Sequence, residues 1–262
     1  MTVPRSSESF DAGARGYEAT IARTLLPVAQ RVVARAALRP NQQVLDVGTG
    51  TGSAAAAAVG EGRTVVGIDG APGMLELARH NVPGATFEAM DFTALTFEDA
   101  SFDVVVSSHA LHFARDRETA LREWLRVTRP GGRVSLSGPG PLEVTPSALY
   151  AHIYERTGID TSGRYLGPDQ LRAVAEAAGW ADVATEADPS LVIRLGSEEL
   201  FRTWRRIGSR AEATRDWSDE EHEALTVAML AATPRDENGA YVIPFGAIYL
   251  TARRPAAQTI PG

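Results

Sequence analysis

The sequence predicts an α/β protein whose core is a doubly wound, mostly parallel sheet covered by helices. Two observations support this prediction. Short runs rich in Val, Leu and Ile alternate with helical patterns along residues 17–137, an alternation typical of parallel strands joined by crossover helices. A glycine-rich turn also follows the first of these runs directly, at residues 48–52, as in nucleotide-binding sheets of this class.

The first half of the chain gives the clearest pattern. The polar segment 1–16 is expected to be mobile, and residues 17–38 have helical apolar spacing that contains Pro27, a residue that kinks or starts a helix. The predicted strands are 43–47, 64–68, 86–90, 102–107 and 133–137. The predicted helices between them are 53–59, 72–80 and 118–127.

The pattern is looser after residue 137. Helices are expected at 148–158 and 168–178, strands at 182–186 and 191–195, and two helices within 197–232. The segment 241–251 is expected to form the last strand or a hairpin. No repeat or low-complexity linker divides the chain, so residues 1–262 are interpreted as one domain, with a core over 17–137 and a helical lid and late strands over 140–235.

Composition excludes several function classes. The chain has 262 residues, no Cys and a net charge of −7, so Cys-based catalysis and Cys-ligated metals are excluded. All 26 basic residues are Arg, which excludes a lysine Schiff base and a P-loop lysine. An acidic chain gains little from counterion release, so a nucleic-acid partner is not expected. The first residues lack an apolar signal core, and no run of 18 apolar residues is present. We therefore expect a cytoplasmic protein with no membrane partner.

The turn after the first strand predicts a nucleotide site. Gly48-Thr49-Gly50-Thr51-Gly52 leads into a helix whose free N–H groups face the turn,. Asp69 follows at the end of the second strand, where a carboxylate can accept hydrogen bonds from both hydroxyls of a ribose. The dinucleotide pattern Gly-x-Gly-x-x-Gly/Ala requires Gly or Ala at position 53, which is Ser53 here, and this departure argues against NAD.

Five motifs in register resemble those of the class I S-adenosylmethionine (SAM)-dependent methyltransferases. The first is Val44-Leu45-Asp46-Val47-Gly48-Thr49-Gly50-Thr51-Gly52. The others are Gly67-Ile68-Asp69 with Met74-Leu75, Asp91, the strand Phe102–Ser108, and Arg129-Pro130-Gly131-Gly132-Arg133. The resemblance is greatest to the small-molecule branch typified by menaquinone and ubiquinone C-methyltransferases, with Phe10-Asp11 and Tyr17-Glu18 upstream. It implies a Rossmann-like sheet of seven strands whose last strand is antiparallel.

The resemblance also implies which residues bind the cofactor. Residues of the glycine turn would line the methionine part of SAM, Asp69 would bind the ribose, and Asp91 the adenine amino group. Met74 and Phe92 would lie against the adenine, and the Ser108 carbonyl would face the ammonium group. The complete predicted set is Tyr17, Gly48, Thr49, Gly50, Thr51, Asp69, Gly70, Met74, Asp91, Phe92 and Ser108. Asp46 is expected to orient the turn without touching the ligand.

His109 and His112 are the candidate catalytic residues. They follow the fourth strand, where acceptor and methyl group should meet, and histidine titrates in the range useful to a general base. The alternative for both is a structural role at the rim of the site. His109, His112 and Asp116 could imitate a metal-binding face. No carboxylate cluster accompanies them, so no metal is expected.

The acceptor half is poorly specified. Tyr17, Tyr150, His152 and Tyr154 could line a lid, although isolated aromatic residues are more often core. Arginines 202, 205, 206 and 210 share one helical face. A solvated face with Glu198 reaching Arg202 is the preferred interpretation, and an anion-binding lid is the alternative.

The sequence therefore predicts a SAM-dependent methyltransferase that acts on a small molecule by direct transfer to oxygen, nitrogen or carbon. A secondary metabolite or a quinone-like compound is the expected acceptor. Two alternatives stay open, because fold does not fix function. One is an enzyme that binds SAM and catalyses a cyclisation or rearrangement without methyl transfer. The other is a non-catalytic SAM-binding protein, and an NAD dehydrogenase is a more distant candidate.

Overall fold

The structure of the protein, a computed structural model, describes residues 5–159, 165–208, 211 and 213–256. The helices in this part are α1 Arg5–Tyr17, α2 Arg23–Arg35, α3 Ser53–Ala58, α4 Pro72–Asn81, α5 Arg117–Val127, α6 Pro146–Thr157, α7 Pro168–Ala177, α8 Glu198–Arg205 and α9 Asp219–Ala232. A π-helix, Glu18–Ala22, joins α1 to α2. The strands are β1 Gln43–Val47, β2 Thr64–Asp69, β3 Thr86–Ala89, β4 Phe102–Ser108, β5 Thr128–Pro139, β6 Ala181–Asp188, β7 Val192–Leu195, β8 Tyr241–Pro244 and β9 Ala247–Arg253.

Seven of these strands form the central sheet, in the order β3-β2-β1-β4-β5-β9-β6. Strands β1 to β5 pair in parallel, and β9 runs antiparallel to both β5 and β6. The predicted seven-stranded fold with an antiparallel last strand is confirmed. Strand order reverses between β1 and β4, so the carboxyl ends of these two strands form the crevice where doubly wound sheets bind ligands.

Apolar side chains are buried on both faces of the sheet, as expected for parallel strands. On one face Val44, Val104 and Val106 pack in a cluster with α2 and α3. On the other face Leu45 and Val105 pack with residues of α5 and α7. The sheet is therefore a rigid support for the loops at its carboxyl edge. Among the described residues, none of the helices combines the length and apolarity needed to cross a membrane.

The N-terminal segment differs from the prediction of a mobile stretch over residues 1–16. Residues 5–16 belong to helix α1, and residues 1–4 lie outside the described part. Ala14 of α1 is buried against Ala71 and Met74. The Asp11 carboxylate accepts a hydrogen bond of 2.5 Å from the Gly73 amide at the start of α4, where an acidic group is favoured. These tertiary contacts stabilise a helix whose own composition is polar.

The segment 241–251 divides into two strands that belong to different sheets. Strand β8 pairs with β7 in a separate two-stranded sheet, and β9 joins the central sheet. The chain changes direction at Gly246, which has a φ of +56°, and the amides of Phe245 and Gly246 both donate to the Leu191 carbonyl. The turn places Phe245 beside the carboxyl edge of the central sheet. Much of the predicted lid, from β7 to β8, is thus inserted between β6 and β9.

Candidate functional site

The glycine turn lies between β1 and α3. Gly48, Gly50 and Gly52 have φ angles of +66°, +55° and +93°, in the left-handed region that L side chains disfavour. A Cβ at position 48 would lie 2.2 Å from the Cβ of Ala110, so the loop after β4 packs directly against this backbone. Only glycine satisfies both constraints at position 48.

Asp46 stabilises the glycine turn from the interior of the protein. Its side chain is fully buried, and Oδ2 accepts hydrogen bonds from the Thr49 hydroxyl at 2.7 Å and the Ala55 amide at 2.9 Å. Burial raises the pKa of Asp46 to about 7, although the two hydrogen bonds favour the charged carboxylate and lower the pKa. Asp46 is absent from the cavity lining, which agrees with the expectation that it orients the turn.

Asp69 is fixed at the end of β2 by two backbone amides. Oδ2 accepts from Gly50 at 2.9 Å, and Oδ1 accepts from Ala71 at 2.9 Å. Burial raises the pKa of Asp69 above its ordinary value, although these hydrogen bonds favour the charged form. A carboxylate has about four acceptor positions, so Asp69 can accept further hydrogen bonds from a ligand in the cavity.

One cavity brings most of the predicted site residues together. It lies at the carboxyl edge of the sheet and opens to solvent, the position at which doubly wound sheets bind ligands. Eleven of the thirteen predicted residues line it: Tyr17, Gly48, Gly50, Asp69, Gly70, Met74, Asp91, Phe92, Ser108, His109 and His112.

Thr49 and Thr51 are the two predicted residues that do not line this cavity. The Thr49 hydroxyl donates to Asp46, and Thr51 is buried with its carbonyl accepting from the Asn81 amide. Both threonines therefore stabilise the loop. Gly48 and Gly50 line the cavity, whereas both threonines between the glycines are buried in the protein interior.

Tyr17 joins the N-terminal helix to the site. It is the last residue of α1 and directly precedes the π-helix, an irregularity that is frequent at functional sites. A Cβ at Gly50 would lie 3.9 Å from Tyr17 Cε1, so the phenol lies across the glycine turn. Burial, followed by the negative charge of Asp69, raises the pKa of Tyr17. The phenol is therefore protonated and able to donate a hydrogen bond.

His109 lies at the end of β4 in an unusual environment. Its φ is +57°, and its ring stacks on Phe245 with centroids 5.4 Å apart and planes at 18°. Nδ1 lies 2.9 Å from the Ser137 hydroxyl, whereas Nε2 has no hydrogen-bond partner among the described residues. Burial lowers the pKa of His109 to about 3. The imidazole is neutral at physiological pH.

His112 lies on a short 3₁₀-helix, Leu111–Phe113, and its ring centroid is 6.3 Å from that of His109. Asp116, the third member of the face considered for a metal, instead caps α5 by accepting from the Thr119 amide at 3.0 Å. Within the described residues no group of three His, Asp or Glu side chains is arranged to hold a metal ion. The histidine pair therefore faces the cavity without the carboxylate that the metal interpretation needs.

The other side of the cavity is apolar and was largely missed from the sequence. Its walls come from α1, the π-helix, α2, the segment around α8 and the β8–β9 turn, with single residues after β3, on the 3₁₀-helix and before α7. The side chains concerned are Phe10, Ile21, Leu25, Met90, Phe113, Tyr165, Trp204, Ile207 and Phe245. Phe10, Tyr17 and Ile21 are seven and four residues apart, about two helical turns and one, and this spacing is a local signal that could have identified part of this wall. The other residues come from distant segments and carry no such signal.

The lid aromatics named from the sequence have other roles. Tyr150 and Tyr154 are buried in the core, and the Tyr150 hydroxyl lies 2.7 Å from that of Thr233. His152 is exposed. None of the three lines the cavity, so among the tyrosines proposed as a lid only Tyr17 reaches it.

The arginine face at α8 is solvated in part: Arg206 is exposed and Arg202 is partly exposed. Arg202 pairs with Glu198 at 2.7 Å and Glu223 at 2.5 Å. Arg205 differs from the predicted solvated face, because it is 1% exposed and lies 2.7 Å from Nδ1 of His222. Arg210 lies outside the described residues.

Comparison with known proteins identifies the family. Residues 45–136 match the family described as methyltransferase domain. A demethylmenaquinone methyltransferase from Streptomyces griseus is 34% identical over 67% of this chain and 86% of its own length. A protein of the same name from Mycolicibacterium vanbaalenii is 33% identical over 86% of this chain and 92% of its own length.

Solved structures agree with this fold at lower identity. A Haemonchus contortus phosphoethanolamine N-methyltransferase 2 in complex with SAM has a TM-score of 0.62 at 20% identity, over 94% of this chain and 57% of its own. The [4+2]-cyclase SpnF has a TM-score of 0.59 at 20% identity, over 88% of this chain and 81% of its own. The motifs, the sheet order and the two relatives agree: the chain belongs to the class I SAM-dependent methyltransferases, with demethylmenaquinone methyltransferases among its relatives, and SAM is its cofactor.

Proposed function

We propose that this protein transfers a methyl group from SAM to a small, largely apolar acceptor held beside His109, His112 and Phe245. One observation carries the proposal. The cavity that is lined by the predicted cofactor residues is also lined by aromatic and aliphatic side chains. A transfer reaction requires its two reactants to be held next to each other, and these two kinds of lining supply adjoining surfaces for them.

The residues of the cavity fit the cofactor. The positive-φ glycines at positions 48 and 50 expose backbone to the cavity, where a ligand can approach closely. Asp69, Met74, Asp91 and Phe92 line the same side. We assign the ribose to Asp69, the adenine to the other three residues, and the methionine part to the glycine turn with Ser108, Gly70 and Tyr17. Bound SAM supplies an electrophilic methyl group on a sulfonium.

The acceptor side is suited to a flat, weakly polar molecule. Phe10, Phe113 and Phe245 supply ring faces, and Ile21 and Leu25 supply aliphatic surface. The full-length relatives carry the name demethylmenaquinone methyltransferase, which supports a quinol-like acceptor and carbon methylation for this chain. A phenolic secondary metabolite fits the same wall. The net charge of −7 supports a small molecule over a nucleic acid,.

His109 is assigned to the acceptor. Its ring is oriented by Phe245 and Ser137, and its lowered pKa opposes formation of an imidazolium in the buried site,. Of the two roles that histidine can have here, hydrogen bonding to an acceptor oxygen is therefore favoured over proton removal. His112 lies at the adjoining rim and is assigned the same acceptor side.

Two linked measurements test the proposal. Calorimetry with SAM, S-adenosylhomocysteine and NAD should give binding of the two sulfur nucleotides and none of NAD. Incubation with methyl-labelled SAM and a panel of demethylated quinols and phenols should then move the label to an acceptor. Binding of NAD alone would contradict the cofactor assignment.

The labelled experiment also separates the two remaining activities. Product formation with all label retained on SAM would replace methyl transfer by a cyclisation or rearrangement. SAM binding with neither product nor label transfer across the acceptor panel would favour a non-catalytic binding protein. Label transfer to a polar, charged acceptor and to none of the quinols or phenols would overturn the assignment of the apolar wall.

A further inference from the structure

A second cavity lies at the opposite end of the sheet, near the amino ends of β1 and β4 and the start of β5. It has a volume of about 410 Å³, and we call it the basal arginine cavity. Its charged lining residues are Arg35, Arg39, Arg129, Arg133, Arg253, Asp103 and Asp182. Of the five motifs, only the Arg129–Arg133 segment and Asp103, at the start of β4, contribute to it.

The positive charge of this cavity is only partly compensated. Arg129 pairs with Asp103 at 2.8 Å, and Arg35 pairs with Glu186. The remaining guanidinium groups, on Arg39, Arg133 and Arg253, form no ion pair with a carboxylate of the described residues. One lining carboxylate, Asp182, is likewise without an ion pair there. The cavity therefore keeps an excess of two unpaired positive charges in a protein whose net charge is −7.

One of these guanidinium groups is held in place by the protein. Arg133 donates to the carbonyls of Ala36 and Ala37 and, at 3.1 Å, to the Gln42 side chain. Its pKa is lowered by burial and then by the positive charges of Arg39 and Arg253. The three cations are thus close enough to repel one another, and a bound anion would relieve that repulsion.

The positions of the arginines indicate the geometry of the ligand. Arg39 follows α2, Arg133 is on β5, and Arg253 ends β9, so the three groups approach the cavity from three different segments. A tetrahedral phosphate presents oxygens in several directions and accepts bidentate bonds from guanidinium groups. A single carboxylate presents two oxygens in one plane and can satisfy fewer of these donors.

We propose that the basal arginine cavity binds a phosphate-bearing anion with two or more negative charges. Arg133 is the fixed contact, and the exposed side chains of Arg39 and Arg253 close on the ligand. The site is separate from the methyl-transfer cavity, since the two lie at opposite ends of the parallel strands. The inference does not depend on the proposed acceptor.

Calorimetry with inorganic pyrophosphate tests this site. The full chain is first saturated with S-adenosylhomocysteine, so that the cofactor cavity is filled, and ionic strength is held constant. We expect one pyrophosphate per chain and at least tenfold weaker binding in the double variant Arg39→Gln/Arg253→Gln. Arg194→Gln, which changes an exposed arginine outside the cavity, is the matched control and should bind as the parent does.

The outcomes are distinct. Absence of pyrophosphate binding, or equal binding by the double variant and the control, would overturn the proposal. Citrate is the comparison ligand, because it carries three carboxylates and no phosphate. Binding of citrate as tight as pyrophosphate would overturn the phosphate assignment. Matching thermal unfolding of the parent and the double variant shows that a loss of binding is not a loss of fold, and Arg253→Gln alone serves if the double variant unfolds.

Discussion

The two halves of the main cavity are built in different ways. Apart from Tyr17, the proposed cofactor half is formed by one stretch, from β1 to Ser108 at the end of β4, and it uses backbone conformation and fixed carboxylates. The proposed acceptor half is formed by side chains from α1, the π-helix, α2, the α8 region and the β8–β9 turn, together with the residues that follow β4. The first half is therefore specified locally in sequence, and the second half only when the whole chain has folded.

This difference also appears in how each half is stabilised. In the cofactor half the hydrogen bonds of Asp46 and Asp69 determine the course of the glycine turn. In the acceptor half the buried His109 ring is held by stacking on the partly buried Phe245 and by the Ser137 hydroxyl. Substitutions in the first half should thus affect the backbone or SAM affinity strongly, whereas substitutions in the second half should have smaller effects, confined to the acceptor.

The largest effect is expected for Gly48→Ala. The new Cβ would meet Ala110 at 2.2 Å in a backbone of φ +66°, so left-handed strain and overpacking add to a loss of about 2–5 kcal/mol in unfolding free energy. Gly239→Ala is the control, because Gly239 has a φ of +78° with no atom within 4 Å of the new Cβ. Urea unfolding should show the control losing only about 1–2 kcal/mol, and equal losses would refute the steric argument.

The same locality explains what could be predicted from the sequence. The positions of β1, β2 and β4, the turn at 48–52 and Asp69 follow from apolar runs and glycines that lie next to each other in the chain. The same pattern predicts Thr49 and Thr51 in the lining with their neighbours. A one-dimensional pattern does not distinguish the residues of the turn that face the ligand from those that face Asp46 and Asn81.

The acceptor half could not be predicted in the same way. Tyr150 and Trp204 are both buried aromatic residues on lid helices, but only Trp204 lines the cavity. Phe245 reaches it because Gly246 turns the chain between two sheets. The polar composition of residues 1–16 predicts a mobile segment, because the contacts that stabilise α1, such as Asp11 with Gly73, join residues 62 positions apart.

Asp69→Ala should give the next largest effect, on cofactor binding. Loss of charged hydrogen bonds to a ligand weakens affinity by about 1.5–3 kcal/mol, or roughly 10–150-fold in the dissociation constant of SAM. Calorimetry measures this change, and Asp99→Ala, which removes an exposed carboxylate, is the control. Unchanged SAM affinity in Asp69→Ala would mean that the ribose lies elsewhere.

Two phenylalanine variants, one on each side of the cavity, test the division between cofactor and acceptor binding, with smaller expected effects. Phe92→Ala should weaken SAM by about 1 kcal/mol and leave the acceptor KM unchanged, because Phe92 lies on the cofactor side and contacts Trp124,. Phe245→Ala should raise the acceptor KM roughly fivefold, which corresponds to about 1 kcal/mol, with SAM affinity unchanged. If both variants affected both ligands equally, the cavity would not be divided as the structure indicates.

The smallest expected effect concerns the pH dependence of His109. A general base with the ordinary histidine pKa would make kcat/KM rise as pH increases through about 6.5. The pKa of His109 is lowered to about 3, so its imidazole stays neutral throughout pH 5–8 and contributes no such rise. His109→Gln, which keeps a neutral polar side chain, should lower kcat/KM by a constant factor without changing the shape of the profile. If the parent instead showed a rise in kcat/KM near pH 6.5 and His109→Gln lacked it, His109 would be the general base. The acceptor half would then depend on an ionisable side chain, as the cofactor half does.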